Sequence, residues 1–412
     1  MRSAKACQTE AAGGARDDNE RKPVYNTDTF IRRSGEEKKT MRKIPGLTAL
    51  LLTFLLLLTA AGAQAEKSVL MTFAGDCTLG GEGSVSKTEE SFDAFAEKYG
   101  YDYFFANFRE LFEKDDITVV NLEGVLSDSA FMEKKGKTFR FRGQTDYVKI
   151  LTGSSVEAVS IANNHIMDFN AQGAESTRKT LDESGVSWFW NETYYVFEHD
   201  GIRVAFFGLE HSKFYALGNW LTRTFRELRE SGGVSAIVVY VHTGIEYKGE
   251  HENKAAVMVQ DLVGMGADLV LLSHPHVLQG MDIINNRTVF YSMGNFVFGG
   301  NSAIRYEKYH VVKEVSSLYS MAVQVKMSFT NEGQYLGQRV VVYPAYISDD
   351  PNVNHYQPRR VSVQEAQPVR DAIQRDTAFD LPELKEENGF AVMEFPYLAA
   401  TDDVMLPEDD ED

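Results

Sequence analysis

Five short apolar runs, each closed by polar side chains able to bind a metal, constrain this chain more than any other feature. Val69-Leu70-Met71-Thr72-Phe73-Ala74 runs into Gly75-Asp76, and Ile117-Thr118-Val119-Val120 into Asn121-Leu122-Glu123-Gly124. Ala158-Val159-Ser160-Ile161-Ala162 runs into Asn163-Asn164-His165, and Ala236-Ile237-Val238-Val239-Tyr240-Val241 into His242-Thr243-Gly244. Asp268-Leu269-Val270-Leu271-Leu272-Ser273 ends at His274-Pro275-His276. Runs this short and this rich in β-branched residues read as buried strands of an α/β sheet. Open α/β sheets bind ligands at the carboxyl ends of their strands. The five closures therefore predict one site on one sheet edge, with ligands far apart in sequence.

Carboxylate, amide oxygen and imidazole suit divalent ions such as zinc, manganese or iron. Two imidazoles one residue apart across a proline can serve two neighbouring ions. Such a pair sits about 3.5–4 Å apart, clamps both oxygens of an in-line displacement and lowers the pKa of bound water. Blander readings compete at each position. Asp76 can cap a turn after its strand, and Asn163 reads best as part of a tight turn. His165 is either a structural histidine bonded to Asp168 or an acid–base group that Asp168 orients. Glu246-Tyr247 is either a support for the site or a polar loop. Phe139-Arg140-Phe141-Arg142 would put both arginines on one side of a strand. That is either a surface ladder or a way for Arg142 to meet an anionic group. His199, His211, His251, His310 and His355 lack comparable context and read as surface or loop residues.

In order along the chain, Gly75-Asp76, Asn121-Leu122-Glu123, Ala162-Asn163-Asn164-His165 with Asp168, His242-Thr243-Gly244 with Glu246-Tyr247, His274-Pro275-His276-Val277 and Tyr291-Ser292-Met293-Gly294-Asn295-Phe296-Val297-Phe298 resemble the CapA family of poly-γ-glutamate capsule synthesis proteins. That family looks like a branch of the calcineurin-like metallophosphoesterases. The resemblance implies a four-layer α/β/β/α sandwich over residues 66–350, and one or two divalent transition metal ions (Mn, Zn or Fe). It implies Asp76 and His276 as first-metal ligands, Glu123 as the bridging carboxylate, and Asn164, His242 and His274 as second-metal ligands. His165, with Asp168, stands where the family's relatives place the acid that faces a leaving group. Arg142, Glu246 and Asn295 are the candidate substrate-side residues, and Arg142 matches a basic residue often seen before the Asn-Asn-His segment. Three positions depart from the pattern. Thr78 stands where phosphoesterases have a histidine, Asn-Leu-Glu replaces the bridging-aspartate motif, and Asn170 replaces a common glycine. Asparagine tolerates positive φ, so the turn at Asn170 can survive. The implied partners are an anionic polymer such as poly-γ-glutamate and membrane-embedded capsule synthesis components. The implied role is capsule biosynthesis or export; a metal-dependent envelope hydrolase is the alternative.

Met41-Arg42-Lys43-Ile44-Pro45, the apolar run from Leu47 to Ala61 and Ala63-Gln64-Ala65 read as a secretory signal peptide over 41–65. The expected product is extracytoplasmic, secreted or held at the membrane by an uncleaved signal. Residues 1–40 read as an upstream over-extension of the frame, or alternatively as a cytoplasmic tail before an uncleaved anchor. Residues 1–65 carry 11 Lys/Arg against 7 Asp/Glu in a chain of net charge −18, which leaves the remainder at −22 with Cys77 as its one cysteine. No internal disulfide can staple that remainder. Its charge opposes nucleic acid as a partner.

Elsewhere strands alternate with helices. Phe92, Phe95, Tyr99, Phe104, Phe105, Phe108 and Leu111 read as core. Helices are expected over 172–184, stopped by Gly185, and over 251–264, and a further one over 364–375. The segments 320–330 and 338–347 form a predicted hairpin turning at Asn331-Glu332-Gly333. Tyr291 to Phe298 reads as one strand interrupted by Gly294 for close packing. Residues 351–412 read as a carboxyl-terminal extension, acidic and disordered from Ala399.

Overall fold

The computed structural model describes residues 67–129, 133–300, 316–350 and 353–401. The signal segment, residues 1–40, His310 and the acidic end from 402 lie outside the described residues. No described helix is long and apolar enough to cross a membrane.

In chain order the main strands are β1 (Lys67–Thr78), β2 (Ile117–Leu122), β3 (Ala158–Ser160), β4 (Ser187–Phe189), β5 (Tyr195–His199), β6 (Ile202–Glu210), β7 (Ala236–His242), β8 (Leu269–Ser273), β9 (Met281–Ile284) and β10 (Arg287–Phe290). They continue with β11 (Asn295–Phe298), β12 (Tyr319–Phe329), β13 (Tyr335–Tyr346), β14 (Arg359–Arg360), β15 (Lys385–Glu387), β16 (Phe390–Glu394) and β17 (Leu398–Ala399). One sheet has the order β15-β16-β13-β12-β1-β2-β3-β4, with β11 beside β1 and with β14 and β17 beside β13. The second has the order β9-β10-β8-β7-β6-β5. Residues 359–399 thus add strands to the first sheet.

Alternation along the strands explains the layering. Val69, Met71 and Phe73 of β1 share one core with Val204 and Phe206 of β6, Val238 and Tyr240 of β7, and Leu269 and Leu271 of β8. The intervening residues Ala205, Phe207, Ile237, Val239, Val270 and Leu272 pack outward against α3 (His211–Glu230) and α4 (Asn253–Met265). On the far side, Val120 and Val159 meet Phe104, Phe105, Phe108 and Leu181 of α2 (Asn170–Ser184), which follows α1 (Phe92–Tyr99). Two sheets face each other and helices cover both outer faces, as the four-layer α/β/β/α sandwich requires. Both faces of the central strands are buried, which is why they read as continuous apolar runs.

The expected elements appear with shifted ends. Helix α2 stops at Gly185, whose φ of 73 satisfies a left-handed cap. Asn170 has φ 54, the conformation its glycine-like position demands. β12 and β13 form the predicted hairpin, and α5 (Val363–Gln374) starts at a Ser362–Glu365 capping box. Two expectations need correction. Tyr99 is 47% exposed and is not core. Tyr291–Phe298 is not one strand: β10 ends in the second sheet at Phe290, and β11 begins in the first at Asn295. The crossover turns at Gly294, φ 70, whose carbonyl accepts from Asp76 N at 2.9 Å. A Cβ on Gly75 would lie 2.1 Å from that same oxygen, so only glycine lets the two strands meet here. β1 bulges at this point and runs on to Thr78.

At the opposite, amino-terminal edge, burial pushes the Asp115 carboxyl up from 3.8 to about 7, with Glu157 and Asp116 adding like charge, against bonds from Thr72 and Thr118. A raised folded pKa means the associated stability is full below pH 3.8 and lost as pH climbs through about 7. Asp115→Asn is therefore expected to raise the melting temperature at pH 8 by roughly 2 °C or more. The gain should shrink towards zero at about pH 3.5, below the unfolded pKa, in thermal melts of both proteins. A gain independent of pH would contradict this account.

Candidate metal centre

Every candidate metal ligand stands at or just past the carboxyl end of a strand, where side chains from both sheets converge. Asp76 projects from the β1 bulge and is fully buried. Its Oδ1 accepts from Asn121 Nδ2 at 2.8 Å and its Oδ2 from His274 N at 3.2 Å. Asn121 Oδ1 accepts from Asn163 Nδ2 at 3.2 Å, and Asn163 Oδ1 accepts from His165 N at 3.1 Å. Asn163 is thus a buried spacer that fixes the turn, in line with the turn reading, and Asn121 joins it in that task.

Four donor atoms surround one point. His242 Nε2 lies 2.9 Å from Asn164 Oδ1, 3.1 Å from His274 Nδ1 and 3.5 Å from Glu123 Oε1. Ser273 Oγ, 2.9 Å from His242 Nδ1, fixes the ring from behind. Burial holds His242 down at about 3, and burial with the neighbouring His242 holds His274 at about 2. Both imidazoles are therefore neutral, the form that binds metals. On the other side, His276 Nε2 lies 3.7 Å from Glu123 Oε1, and its Nδ1 lies 3.6 Å from Asp76 Oδ2. Burial opposes a charged His276. Glu123, Asp76 and Glu246, with the Asn295 bond, outweigh it and raise its pKa. Ligand atoms of Glu123, His242 and His274 lie within 4.8 Å of one another, as do those of Asp76, Glu123 and His276. Glu123 belongs to both groups, as a bridging carboxylate would.

Glu123 also supplies the test of fit. Its side chain is 0% exposed, and neither carboxylate oxygen has a hydrogen-bond donor. Burial above all pushes its pKa well above the usual carboxylate range. A buried carboxylate without a partner is expensive. A cation between Asp76, His276, His242 and His274 is the group this environment suits.

His165 stands beside these donors. Its Nδ1 donates to Asp168 Oδ2 at 2.6 Å, and its Nε2 points at Glu123 Oε1, 3.7 Å away. The Phe141 ring stacks on it with centroids 4.1 Å apart. Asp168 is fully buried and also accepts from Phe141 N at 2.8 Å. Burial lowers the His165 pKa, only partly offset by Asp168. The ring is neutral at pH 7, with its Nε2 lone pair facing the centre.

Three substrate-side candidates fare differently. Asn295 is completely buried; its Oδ1 accepts from His276 Nδ1 at 2.9 Å and its Nδ2 donates to His276 O at 3.3 Å. It reaches the centre only by orienting His276, with no surface left for a substrate. Arg142 points away from the donors, because Phe141 occupies the face of that strand that meets His165. Its guanidinium donates to Ser127 O at 2.7 Å and lines a neighbouring cavity of about 560 Å³ with Lys87, Asp93, Asp128, Glu133 and Phe169. Glu246 is exposed, yet its carboxylate comes within 4.8 Å of ligand atoms of His274 and His276.

Two residues escaped the sequence reading. Lys137 Nζ donates to Asn164 O at 2.7 Å and to Asp168 Oδ1, and lies 3.1 Å from His165 Nδ1. Its signal was present in the Lys137–Phe139–Phe141 parity, but attention to the arginines chose the other face. His251 is no surface residue: it stacks on Tyr291 at 3.7 Å and bonds Asp376 at 2.9 Å, tying the segment before α4 to the end of α5.

A family profile described as bacterial capsule synthesis protein PGA_cap matches residues 70–300. The chain belongs to that family. Family membership bears out the resemblance to CapA proteins, and the matched span holds the whole donor set. The chain is 25% identical over 300 residues to the "Capsule biosynthesis protein CapA" of Bacillus anthracis, covering 63% of this chain and 70% of that protein. It is 24% identical over 223 residues to the "PGA biosynthesis protein CapA" of Bacillus subtilis (strain 168), covering 49% of this chain and 58% of that protein. A crystal structure of a hypothetical protein from Thermus thermophilus superposes with TM-score 0.39 at 15% identity, covering 67% of this chain and 99% of that one.

Proposed function

We propose that this protein acts outside the cytoplasm in the synthesis or export of capsular poly-γ-glutamate, using a divalent transition metal centre to hold the anionic polymer. The observation that carries the reading is Glu123, a buried carboxylate without a hydrogen-bond donor, ringed by imidazoles in a capsule synthesis family member. Asp76, Glu123 and His276 would hold one ion, and Glu123, Asn164, His242 and His274 the other. A bound ion supplies Lewis acidity and a water of lowered pKa. The chain's own residues orient what enters: Asn295 fixes His276, Asp168 fixes His165, and Arg142 with Lys87 offers positive charge in the adjoining cavity. That cavity suits carboxylates further along a chain whose end lies at the metals.

A second reading, a metal-dependent phosphoesterase-type hydrolase, draws on one observation. His165 is pinned by Asp168 with Nε2 directed at the centre, the geometry of an acid–base group. Binding of poly-γ-glutamate to manganese-loaded and chelated protein, followed by calorimetry, tests the first reading. Chelation should weaken binding at least tenfold, and Arg142→Ala should weaken it further in low salt than in high salt. Equal binding with and without metal would sink the metal-centred reading.

A further inference from the structure

We propose that Glu246 is itself a metal ligand, replacing with an oxygen donor the histidine that is missing at Thr78; this rests on the metal-centred reading above. Thr78 is 1% exposed, its hydroxyl has no hydrogen-bond partner, and it joins none of the candidate ligand groups. The Asp76 side of the centre is therefore short of a donor on β1. The shortfall faces the loop after β7. Glu246, His274 and His276 form a third candidate group, with ligand atoms all within 4.8 Å of one another. It shares His276 with the Asp76 group and His274 with the Glu123–His242 group, so it closes the ring of donors from the solvent side.

The loop is built to hold that carboxylate there. Thr243 N donates to Ser273 O at 2.9 Å and Tyr247 N to Pro275 O at 2.7 Å, so both ends of the segment are pinned to the strand end that carries His274 and His276. Between them Gly244 takes φ 133, and a Cβ there would press on Pro275 Cγ at 2.8 Å. His274 and His276 themselves adopt φ values of 101 and 57, backbone seldom kept by non-glycine residues without a reason. The buried, unpartnered oxygens of Glu123 are aimed into the same space, with Oε1 3.7 Å from His276 Nε2. Two loops held together by backbone bonds thus bring an exposed carboxylate over two imidazoles and a carboxylate that lacks a partner.

The exchange has a chemical consequence. Asp76, Glu123, Glu246 and His276 make an oxygen-rich set, whereas Asn164, His242, His274 and Glu123 are richer in nitrogen. Oxygen donors favour manganese over softer ions, and imidazoles suit zinc. The two positions should then differ in preference, with the Glu246 position the more open and more readily exchanged.

Manganese and zinc titrations of the full chain, read by metal analysis and by the manganese electron paramagnetic resonance signal, decide the matter. Glu246→Gln should weaken one manganese position by roughly 10- to 100-fold or more and leave the other in place. Glu250→Gln, which removes the same charge from the same loop, should change neither. An affinity and stoichiometry unaltered by Glu246→Gln, or altered equally by Glu250→Gln, overturns the assignment and leaves the metal-centred reading standing. Wild-type protein that binds neither ion overturns both.

Discussion

Glu123→Gln is expected to raise the stability of the metal-free protein while abolishing retention of divalent metal. The two effects have one origin. In the metal-free fold the carboxylate is buried without a donor, and its pKa is raised chiefly by that burial. A raised folded pKa contributes stability below the ordinary carboxylate pKa and loses it as pH rises towards the folded value. Glutamine carries no charge, so its advantage should grow with pH. A gain of roughly 2 °C or more at about pH 8 is expected, vanishing in acid. Removing a shared ligand should cost at least the roughly 100-fold that losing an outer partner costs. Adding manganese or zinc should therefore raise the melting temperature of wild type, which binds the ion only when native, and leave the variant unmoved. Thermal melts with and without chelator, beside metal analysis, check both halves. A variant less stable than wild type in chelator at alkaline pH would falsify the account of Glu123.

If the protein turns over a phosphodiester, His165→Asn should cut the rate by about 10²–10⁴ and keep the metal. His165 belongs to none of the candidate ligand groups, but its Nε2 faces Glu123 and its Nδ1 is held by Asp168. Asp76→Asn should lose metal and turnover together, since Asp76 shares a ligand group with Glu123 and His276. Steady-state rates on a model phosphodiester, with bound metal measured on the same samples, separate the two variants. Turnover in His165→Asn equal to wild type would return His165 to a structural role. Robust wild-type turnover lost in His165→Asn would place the hydrolase reading ahead of the binding one.

The central strands and their polar closures were legible because both faces are buried and each run ends in residues that only a site explains. Asp76, Glu123, Asn164, His242, His274 and His276 come together as the ordered motifs implied. Direction was not legible. Arg142 and Phe141 are adjacent in one strand, so a choice of face decides which meets His165, and the pattern of aromatic and basic residues is symmetric in that choice. Tyr291 to Phe298 kept its apolar character across a change of sheet, so periodicity saw one strand where there are two. Helix α3 was missed because Phe214, Leu221 and Phe225 bury a sparse stripe with Gly218 between them. Asn295 was placed at the site correctly but on the wrong side of His276.

The donors come from two separate layers. Asp76, Glu123 and Asn164 belong to strand ends of the first sheet, and His242, His274 and His276 to those of the second. Between the sheets the contact is apolar and non-directional, so the layers could slide by small steps at little cost. An ion held from both sides would act as a rivet across that seam. Cys77, the one cysteine among the described residues, is a buried free thiol and cannot serve as a staple. Hydrogen exchange in β1 and β8 should then slow together when metal binds, although the strands lie in different sheets.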